Sequence, residues 1–471
     1  MVHQETERNA VTRDKLLKII GDIASESGTE VYAVGGYVRD LILKRPGKDI
    51  DFVVVGDGIA FARQLQRALR AKNLVVYERF GTAMLTLDEY QLEFVGAREE
   101  SYVEESRKPR VVTANLLTDL SRRDFTINAL AMHVSPDRFG EIIDPFNGKH
   151  DIERRCLRTP LDPRETFSDD PLRIMRAIRF ATQLKFQIEP GALAAISETK
   201  ERLRIISQER ITDELMKILG ASKPSIGFDL MNRTGVLAIV LPELEQMKGI
   251  EQRGDYHHKD VFYHTIQVID NIARVTKDIR LRFTAMVHDI AKPETKKFIE
   301  GIGWTFHGHD EIGARMLPRF CQRLKLPTDL MKNAQKLVRL HLRPISLATS
   351  EITDSAVRRL IVHAGDDLDA LFLLCRADIT SGNPKRVKAH LANFDALVAR
   401  MKEVEIKDRL RAFQSPVRGE KIMEVCGIAP GPLVGKLKKM IEDAILDGLI
   451  PNDYEAALAY LIEHKDEFFE S

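Results

Sequence analysis

The sequence predicts a mixed α/β first third followed by an all-α remainder. Two observations carry this fold class. Short β-branched runs alternate with helical stretches up to about residue 168, and from about Asp169 onward apolar residues recur at three- and four-residue spacing to the end of the chain. In order, a helix is expected over Lys15–Ile23 and a short strand over Val31–Val34, ending at Gly35-Gly36. A second helical pattern covers Val38–Leu43, and Asp49–Val55 is a β-branched run of strand character. A helix over Gly58–Ala71 and strands at Ala83–Leu87 and Gln91–Val95 complete the first third. Gly, Pro and Ser cluster near Pro160–Pro163, Gly249–Gly254 and Gln414–Gly419, where breaks are expected. There is no repeat at solenoid periods and no low-complexity tract.

The chain has 471 residues, 44% hydrophobic and 30% charged, which is globular composition and excludes a fibrous or wholly disordered protein. Its length suggests roughly three domains' worth of chain. Seventy-one Lys+Arg against 70 Asp+Glu leave a formal charge of +1, so a nucleic-acid partner must be held by a local basic face. Cys156, Cys321, Cys375 and Cys426 are scattered without a C-x-x-C pair, which suits a reducing compartment and argues against a disulfide framework. Residues 1–13 are polar and no apolar run is long enough to cross a bilayer. A cytoplasmic protein without a membrane partner is expected.

Side chains alternate along a strand, so Asp49 and Asp51 point the same way. Two carboxylates so held repel, and a divalent cation neutralises them; hard oxygen ligands suit Mg²⁺ carrying a triphosphate. D-x-D alone also describes solvated strand-end acids. The glycine pair upstream changes the balance. Strand, Gly35-Gly36 and helix start place bare N–H groups where phosphates can lie, with Arg39 in the helix's first turn. An ordinary strand–turn–helix corner is the alternative. Glu93, on the later strand, is a candidate third carboxylate. In Arg122-Arg-Asp-Phe-Thr-Ile-Asn-Ala129 an aspartate and an asparagine are interleaved with apolar residues, which suggests a packed polar network facing the same cleft.

Gly35-Gly-Tyr-Val-Arg-Asp40, Asp49-Ile-Asp51 and Arg122–Ala129 together resemble the signature blocks of bacterial-type tRNA nucleotidyltransferases, the CCA-adding enzyme and poly(A) polymerase family of the DNA polymerase β superfamily. Further blocks follow in order. Asp144-Pro-Phe-x-Gly148-x-x-Asp151 resembles the family's connector, and Asp169-Asp-Pro-Leu-Arg173 its E-D-x-x-R nucleotide-choosing motif, with Asp169 where Glu is usual. Glu209-Arg-Ile-x-x-Glu-Leu215 resembles its neck helix, and Val417-Arg-Gly-Glu through Pro432-x-x-Gly435 its tail. The resemblance implies an α/β nucleotidyltransferase head (14–150), a helical neck carrying the nucleotide-choosing helix and an RNA-binding region (151–250), an HD-type helical body (255–400) and a helical tail (401–471). It implies CCA addition to the tRNA 3′ end from CTP and ATP, with two Mg²⁺ on Asp49 and Asp51. Gly35, Gly36 and Arg39 would hold phosphates, and Arg123 would support the incoming nucleotide. A poly(A) polymerase or a CC-only or A-only adder shares these motifs. No DNA partner is expected.

The nucleotide-choosing block has a physical logic. Asp169 and Arg173, four apart on a helix, or Asp170 and Arg173, three apart, form an acid–base edge. Cytosine and adenine each offer an amine donor beside a ring-nitrogen acceptor, complementary to a carboxylate beside a guanidinium. Guanine and uracil set donor against donor, at about 1–3 kcal/mol per buried unpaired group. Arg176 and Arg179 continue at three-residue spacing; they read either as a solvated basic stripe or, by the resemblance, as nucleotide contacts. Arg202, Arg204, Arg210, Lys436, Lys438 and Lys439 are either RNA-phosphate contacts or plain surface charge.

A second pattern lies between about 260 and 380. His264, His288-Asp289, His309, His341 and Asp378 stand in the order of the HD phosphohydrolase superfamily, whose imidazoles and carboxylates hold divalent transition metals that activate water. In related nucleotidyltransferases such a domain gives phosphatase or 2′,3′-cyclic phosphodiesterase activity on RNA ends, and an HD-type phosphohydrolase with a vestigial head is the alternative of another class. His257, His258 and His307 carry no assigned role.

Overall fold

A computed structural model of the chain describes residues 12–45, 47–103, 106–252, 259–301, 303–348, 353–380, 384–408 and 415–468. His257 and His258 lie outside the described residues. The chain divides into two compact units, Met1–Pro242 and Glu243–Ser471. Among the described residues no helix is long and apolar enough to cross a membrane.

The first unit is built on a seven-stranded sheet. Its strands are β1 (Glu30–Val34), β2 (Asp49–Val55), β3 (Asn73–Tyr77), β4 (Thr82–Leu87), β5 (Tyr90–Gly96), β8 (Ala131–His133) and β9 (Ile142–Ile143), in the spatial order β3-β4-β5-β2-β1-β8-β9. β6 (Arg98–Val103) and β7 (Ser106–Thr113) form a separate antiparallel hairpin. Within the sheet only β2 and β5 run parallel. Alternation sets the faces of β2: Ile50 and Phe52 are fully buried while Asp49 and Asp51 are exposed. Phe52 stacks on Phe94 of β5 at 4.8 Å, and Phe61 of the helix Gly58–Leu69 tilts against Phe94 at 5.6 Å. Burying each such ring contributes about 1.5–3 kcal/mol. That apolar face holds the acids on the opposite one.

Several elements differ from expectation. The first helix runs Arg13–Glu26, longer than Lys15–Ile23. β3 is an extra edge strand. The β6–β7 hairpin lies in a stretch rich in Glu, Lys and Arg that shows no apolar alternation. The chain after Asp169 is mostly helical rather than all-helical. Gln187–Ile188 pairs with Cys156–Leu157, Glu251–Gln252 with Lys259–Asp260, and Lys297–Ile299 with Gly303–Thr305. Strands of two or three residues are too short for a period-two pattern to register.

The nucleotide-choosing block also departs from the single helix expected of it. One helix ends at Asp169 (Pro163–Asp169) and the next begins at Leu172 (Leu172–Leu184), with Asp170 extended at φ −128°, ψ 95° between them. Pro171 is the cause, because its ring crowds the preceding residue out of the helical region. Asp169 and Arg173 therefore share no continuous helix.

In the second unit the helices Val261–Val275, Ile279–Val287, His309–Arg323, Thr328–Leu340 and Leu368–Asp378 surround a buried histidine–aspartate cluster. The helices Gly419–Cys426, Pro432–Leu446 and Tyr454–His464 close over a separate core that includes Val417, Ile422, Leu437, Ile441 and Leu461.

Candidate active site and metal centre

A cavity of about 700 Å³ opens over the acid-bearing face of the sheet. Gly35, Gly36, Arg39, Asp51, Glu93, Arg123, Asp170, Arg173, Arg176 and Arg179 all line it, so the structure gathers nearly the whole expected set. Asp49 lies outside the lining, exposed on the same face of β2. Eight arginines and five carboxylates line the cavity, an excess of positive charge that suits a triphosphate.

Glu93 stands directly beside Asp51 in the parallel β2–β5 register. Crowding has the expected electrostatic consequence. Burial raises the Asp51 carboxyl above its ordinary range, with Asp49 adding to the shift against Arg123 and Arg176. Glu93 is raised likewise, by burial and by Asp51. Clustered acids of this kind are a hard-oxygen donor set that a divalent cation satisfies.

Gly35 takes φ +70°, and a Cβ there would stand 2.8 Å from an Arg123 guanidinium nitrogen. Only glycine lets Arg123 close on the turn. Arg123 and Arg122 both reach Asp119, at 3.1 and 2.8 Å. Burial alone would raise the Asp119 carboxyl, but the two guanidiniums hold it below its usual range.

The interleaved Asp124 and Asn128 form the network their pattern suggested. Arg39 donates to the Asn128 carbonyl at 2.7 Å, the Asn128 amide donates to Asp124 at 2.9 Å, and Arg176 donates to the other Asp124 oxygen at 2.7 Å. Burial opposes ionisation of Asp124, yet Arg176, Asn128 and Arg173 pull it down to about 2. One buried carboxylate thus couples the glycine-turn helix to the helix Leu172–Leu184.

Arg173 donates to the backbone carbonyls of Arg122 at 2.6 Å and Thr166 at 3.3 Å. Arg210 stands 3.8 Å from Asp170. Asp169 is exposed and outside the cavity lining, which sets Asp170 rather than Asp169 at the site. Arg179 meets Glu214 of the helix Gln208–Leu219 at 2.6 Å and lies over the Phe180 ring at 4.2 Å, with Arg39 and Arg176 at 5.0 and 5.4 Å from the same ring. Arg176 and Arg179 are therefore paired residues of the cavity wall and not a solvated stripe. Of the other basic residues, Arg202 is tied to the Ser168 carbonyl at 3.0 Å and Arg204 to Glu201 at 2.8 Å, while Lys436, Lys438 and Lys439 are exposed.

Asp119 and Phe180 are cavity residues that the sequence reading did not single out, and Glu214, named there only as part of the neck-helix block, was given no role. Glu214 had a signal: Ile211, Leu215 and Ile218 are buried on the same helix, so an acid between them needs a buried partner. Phe180 follows Arg179 with no pattern that marks it.

In the second unit all six expected ligands converge. His264, His288 and Asp378 form one group with donor atoms within 4.8 Å of one another, and Asp289, His309 and His341 form another. His264 Nε2 is 2.8 Å from Asp378, His288 Nε2 3.3 Å from Asp289, and His309 Nε2 3.3 Å from both Asp289 and His341 Nε2. The far ring nitrogens are engaged outward. Nδ1 of His288, His309 and His341 faces the carbonyls of Ala285, Phe306 and Val338 at 2.9, 2.7 and 2.6 Å, and Nδ1 of His264 faces the Thr380 hydroxyl at 2.8 Å. Such anchoring turns Nε2 inward, as metal-binding imidazoles require. Burial would raise the Asp289 carboxyl, but His288 and Lys292 hold it well below its usual range, and the His264 and His288 rings do the same for Asp378. Burial and the neighbouring His288 push His341 down to about 4, so it stays a neutral donor. The donor set fits a divalent transition metal.

Acids on adjacent parallel strands, facing an arginine-rich cavity floored by a glycine turn, define a nucleotidyltransferase, here joined in one chain to an HD-type domain. Family models agree: the poly A polymerase head domain matches 31–158, the probable RNA and SrmB-binding site of polymerase A matches 185–248, and the HD domain matches 261–379. The chain is 30% identical to the A-adding tRNA nucleotidyltransferase of Deinococcus radiodurans over 90% of this chain and 93% of that one. It is 36% identical to the multifunctional CCA protein of Nitrosococcus oceani over 66% and 74% of the two chains. The fold resembles the Bacillus stearothermophilus CCA-adding enzyme in complex with CTP, with a TM-score of 0.67 at 21% identity over 98% of this chain and 99% of that one. The chain belongs to the tRNA nucleotidyltransferase family, and it is an enzyme of that class.

Proposed function

We propose that the protein adds or repairs the 3′-terminal CCA of tRNA, using CTP and ATP without a template and releasing pyrophosphate. The observation that carries this is the single cavity joining Asp51 and Glu93 to Asp170, Arg173, Arg176 and Arg179. Asp49 and Asp51, with Glu93 as a third carboxylate, would hold two Mg²⁺. When bound, these ions acidify the attacking 3′ hydroxyl and neutralise charge on the pyrophosphate leaving group. The chain's own groups do the rest. The Gly35-Gly36 turn and Arg39 hold phosphates, Arg123 closes over the turn, and Arg176 and Arg179 flank the nucleotide. Asp170 and Arg173 offer acceptor and donor to the base edge. Only cytosine and adenine meet both. The arginines around the cleft supply sequence-independent attraction for the RNA backbone.

Purified protein incubated with tRNA lacking CCA and each labelled nucleotide tests the reading. Sequential C, C, A addition supports it. A long A ladder makes the protein a poly(A) polymerase, and addition of A only after a preformed CC makes it an A-adder, like its Deinococcus relative. Arg173→Ala is expected to raise misincorporation of U and G relative to C and A by about 10–100-fold, from roughly 1–3 kcal/mol per unpaired group; competition between labelled nucleotides measures it.

The converging ligands of the second unit favour a further reading, metal-dependent hydrolysis of phosphoesters at RNA ends. His264, His288, Asp289, His309, His341 and Asp378 would hold a divalent transition metal, which would supply an activated water. His288→Ala is expected to lower bound metal, measured by elemental analysis, and to abolish phosphate release while leaving nucleotide incorporation within about twofold, since sites without shared partners act independently. A pure HD-type phosphohydrolase would instead hydrolyse while incorporating nothing. The four-part division into 14–150, 151–250, 255–400 and 401–471 is proposed with this function, as is a cytoplasmic location, which the four free cysteines suit.

A further inference from the structure

The hairpin Lys297–Ile299/Gly303–Thr305 presents two large aromatic rings to solvent. Phe298 is 64% and Trp304 46% exposed, paired across the strands and packed edge to face at 5.3 Å. The Lys296 ammonium sits 4.5 Å over the Trp304 ring, and exposed Lys297 follows it. A two-stranded hairpin is too small to be stable by itself, so leaving its largest apolar groups outward has no structural benefit.

The hairpin is tied to the histidine–aspartate cluster at both ends. Upstream, Lys292 bonds Asp289 at 2.7 Å and stands 5.7 Å from the Phe306 ring. Downstream, the Phe306 carbonyl faces His309 Nδ1 at 2.7 Å. Trp304 is two residues from Phe306, about 7 Å of extended chain. The rings are thus a short step from the ligands, roughly the reach of a nucleotide or two.

We infer that Phe298 and Trp304 form a base-stacking subsite for the terminal nucleotides of a single-stranded RNA end, whose backbone phosphate Lys296 draws in beside the rings, within reach of the metal ligands. The pairing of exposed rings with cations is the chemistry that single-stranded nucleic acids select: every base has a stackable face, and each linkage carries a negative charge. An apolar protein surface would not use the lysines. The inference rests on the hydrolytic reading of the cluster but is measured apart from it.

Trp304 is the chain's only tryptophan, so its emission reports this site alone. Full-length protein is titrated with a tetra-adenylate bearing a 3′ phosphate, and with the same backbone whose last two nucleotides are abasic. Saturable quenching by the first, and affinity at least about tenfold weaker for the second, is the expected result. Phe298→Leu, which keeps an apolar side chain, should weaken the first about tenfold, and Lys296→Gln should flatten its salt dependence. Equal quenching by both probes, or none by either, overturns the subsite. So does a concentration-dependent dimer that shields Trp304, because a second copy would then be the occupant. Quenching without phosphate release sinks the hydrolytic reading and leaves the subsite standing, whereas release without quenching does the reverse.

Discussion

Asp51→Ala is expected to lower nucleotide incorporation at least about 10³-fold while the protein stays folded. In the proposed reaction the metal-held charge that this carboxylate would support contributes several kcal/mol at the transition state, and each 1.36 kcal/mol is a factor of ten in rate. The side chain faces the open cavity from β2, where desolvation and Asp49 keep its carboxyl raised, so removing it relieves like-charge crowding in the metal-free protein. A melting temperature equal to or above that of the wild type, with incorporation near background in a single-turnover assay, is the combined signature. Retention of more than a tenth of the wild-type rate would remove Asp51 from the chemistry.

The second large effect belongs to Asp124. Its carboxyl lies at about 2 in the folded state against about 3.9 for a free aspartate, a difference of about 2 kcal/mol at neutral pH. The folded value is depressed, so the stabilisation is complete above about pH 4 and disappears as pH falls through 2. Asp124→Ala should therefore cost about 2–4 kcal/mol at pH 7, including the hydrogen bonds lost by Asn128 and Arg176. Urea titrations at a series of pH values should show wild type and variant converging toward pH 2. Arg39 and Arg176 both hang on this carboxylate, directly or through Asn128, so the variant should also raise KM for the nucleotide about tenfold or more. A stability difference that persists unchanged at pH 2 would contradict the ionic account.

How much of this could be read without coordinates depended on the range of the pattern. Alternation is local, so Asp49, Asp51 and Glu93 were legible as same-face acids on strands. The six histidines and aspartates of the second unit were legible by order, because the resemblance supplied what spacing could not. Asp124 and Asn128 stood out as polar groups inside an apolar run. Pro171 was legible too, and its effect on Asp170 should have broken the helix assumed for the nucleotide-choosing block. Asp119, Glu214 and Phe180 depend on contacts across the fold: Phe180 matters only because three guanidiniums from two helices meet its ring. The Glu-, Lys- and Arg-rich sequence of β6 and β7 carries no apolar alternation to announce a hairpin.

The parallel pairing of β2 with β5 has a consequence for how the catalytic face is calibrated. No tight turn joins these strands, so turn geometry cannot dictate which residue sits opposite which. The choice falls to the stacked Phe52 and Phe94 underneath. A slip of one position would bury Asp51 and expose a phenyl ring. Alignment of the acids is in this sense set from below, by two fully buried rings, and conservative trimming of either ring would detune chemistry without touching an acid.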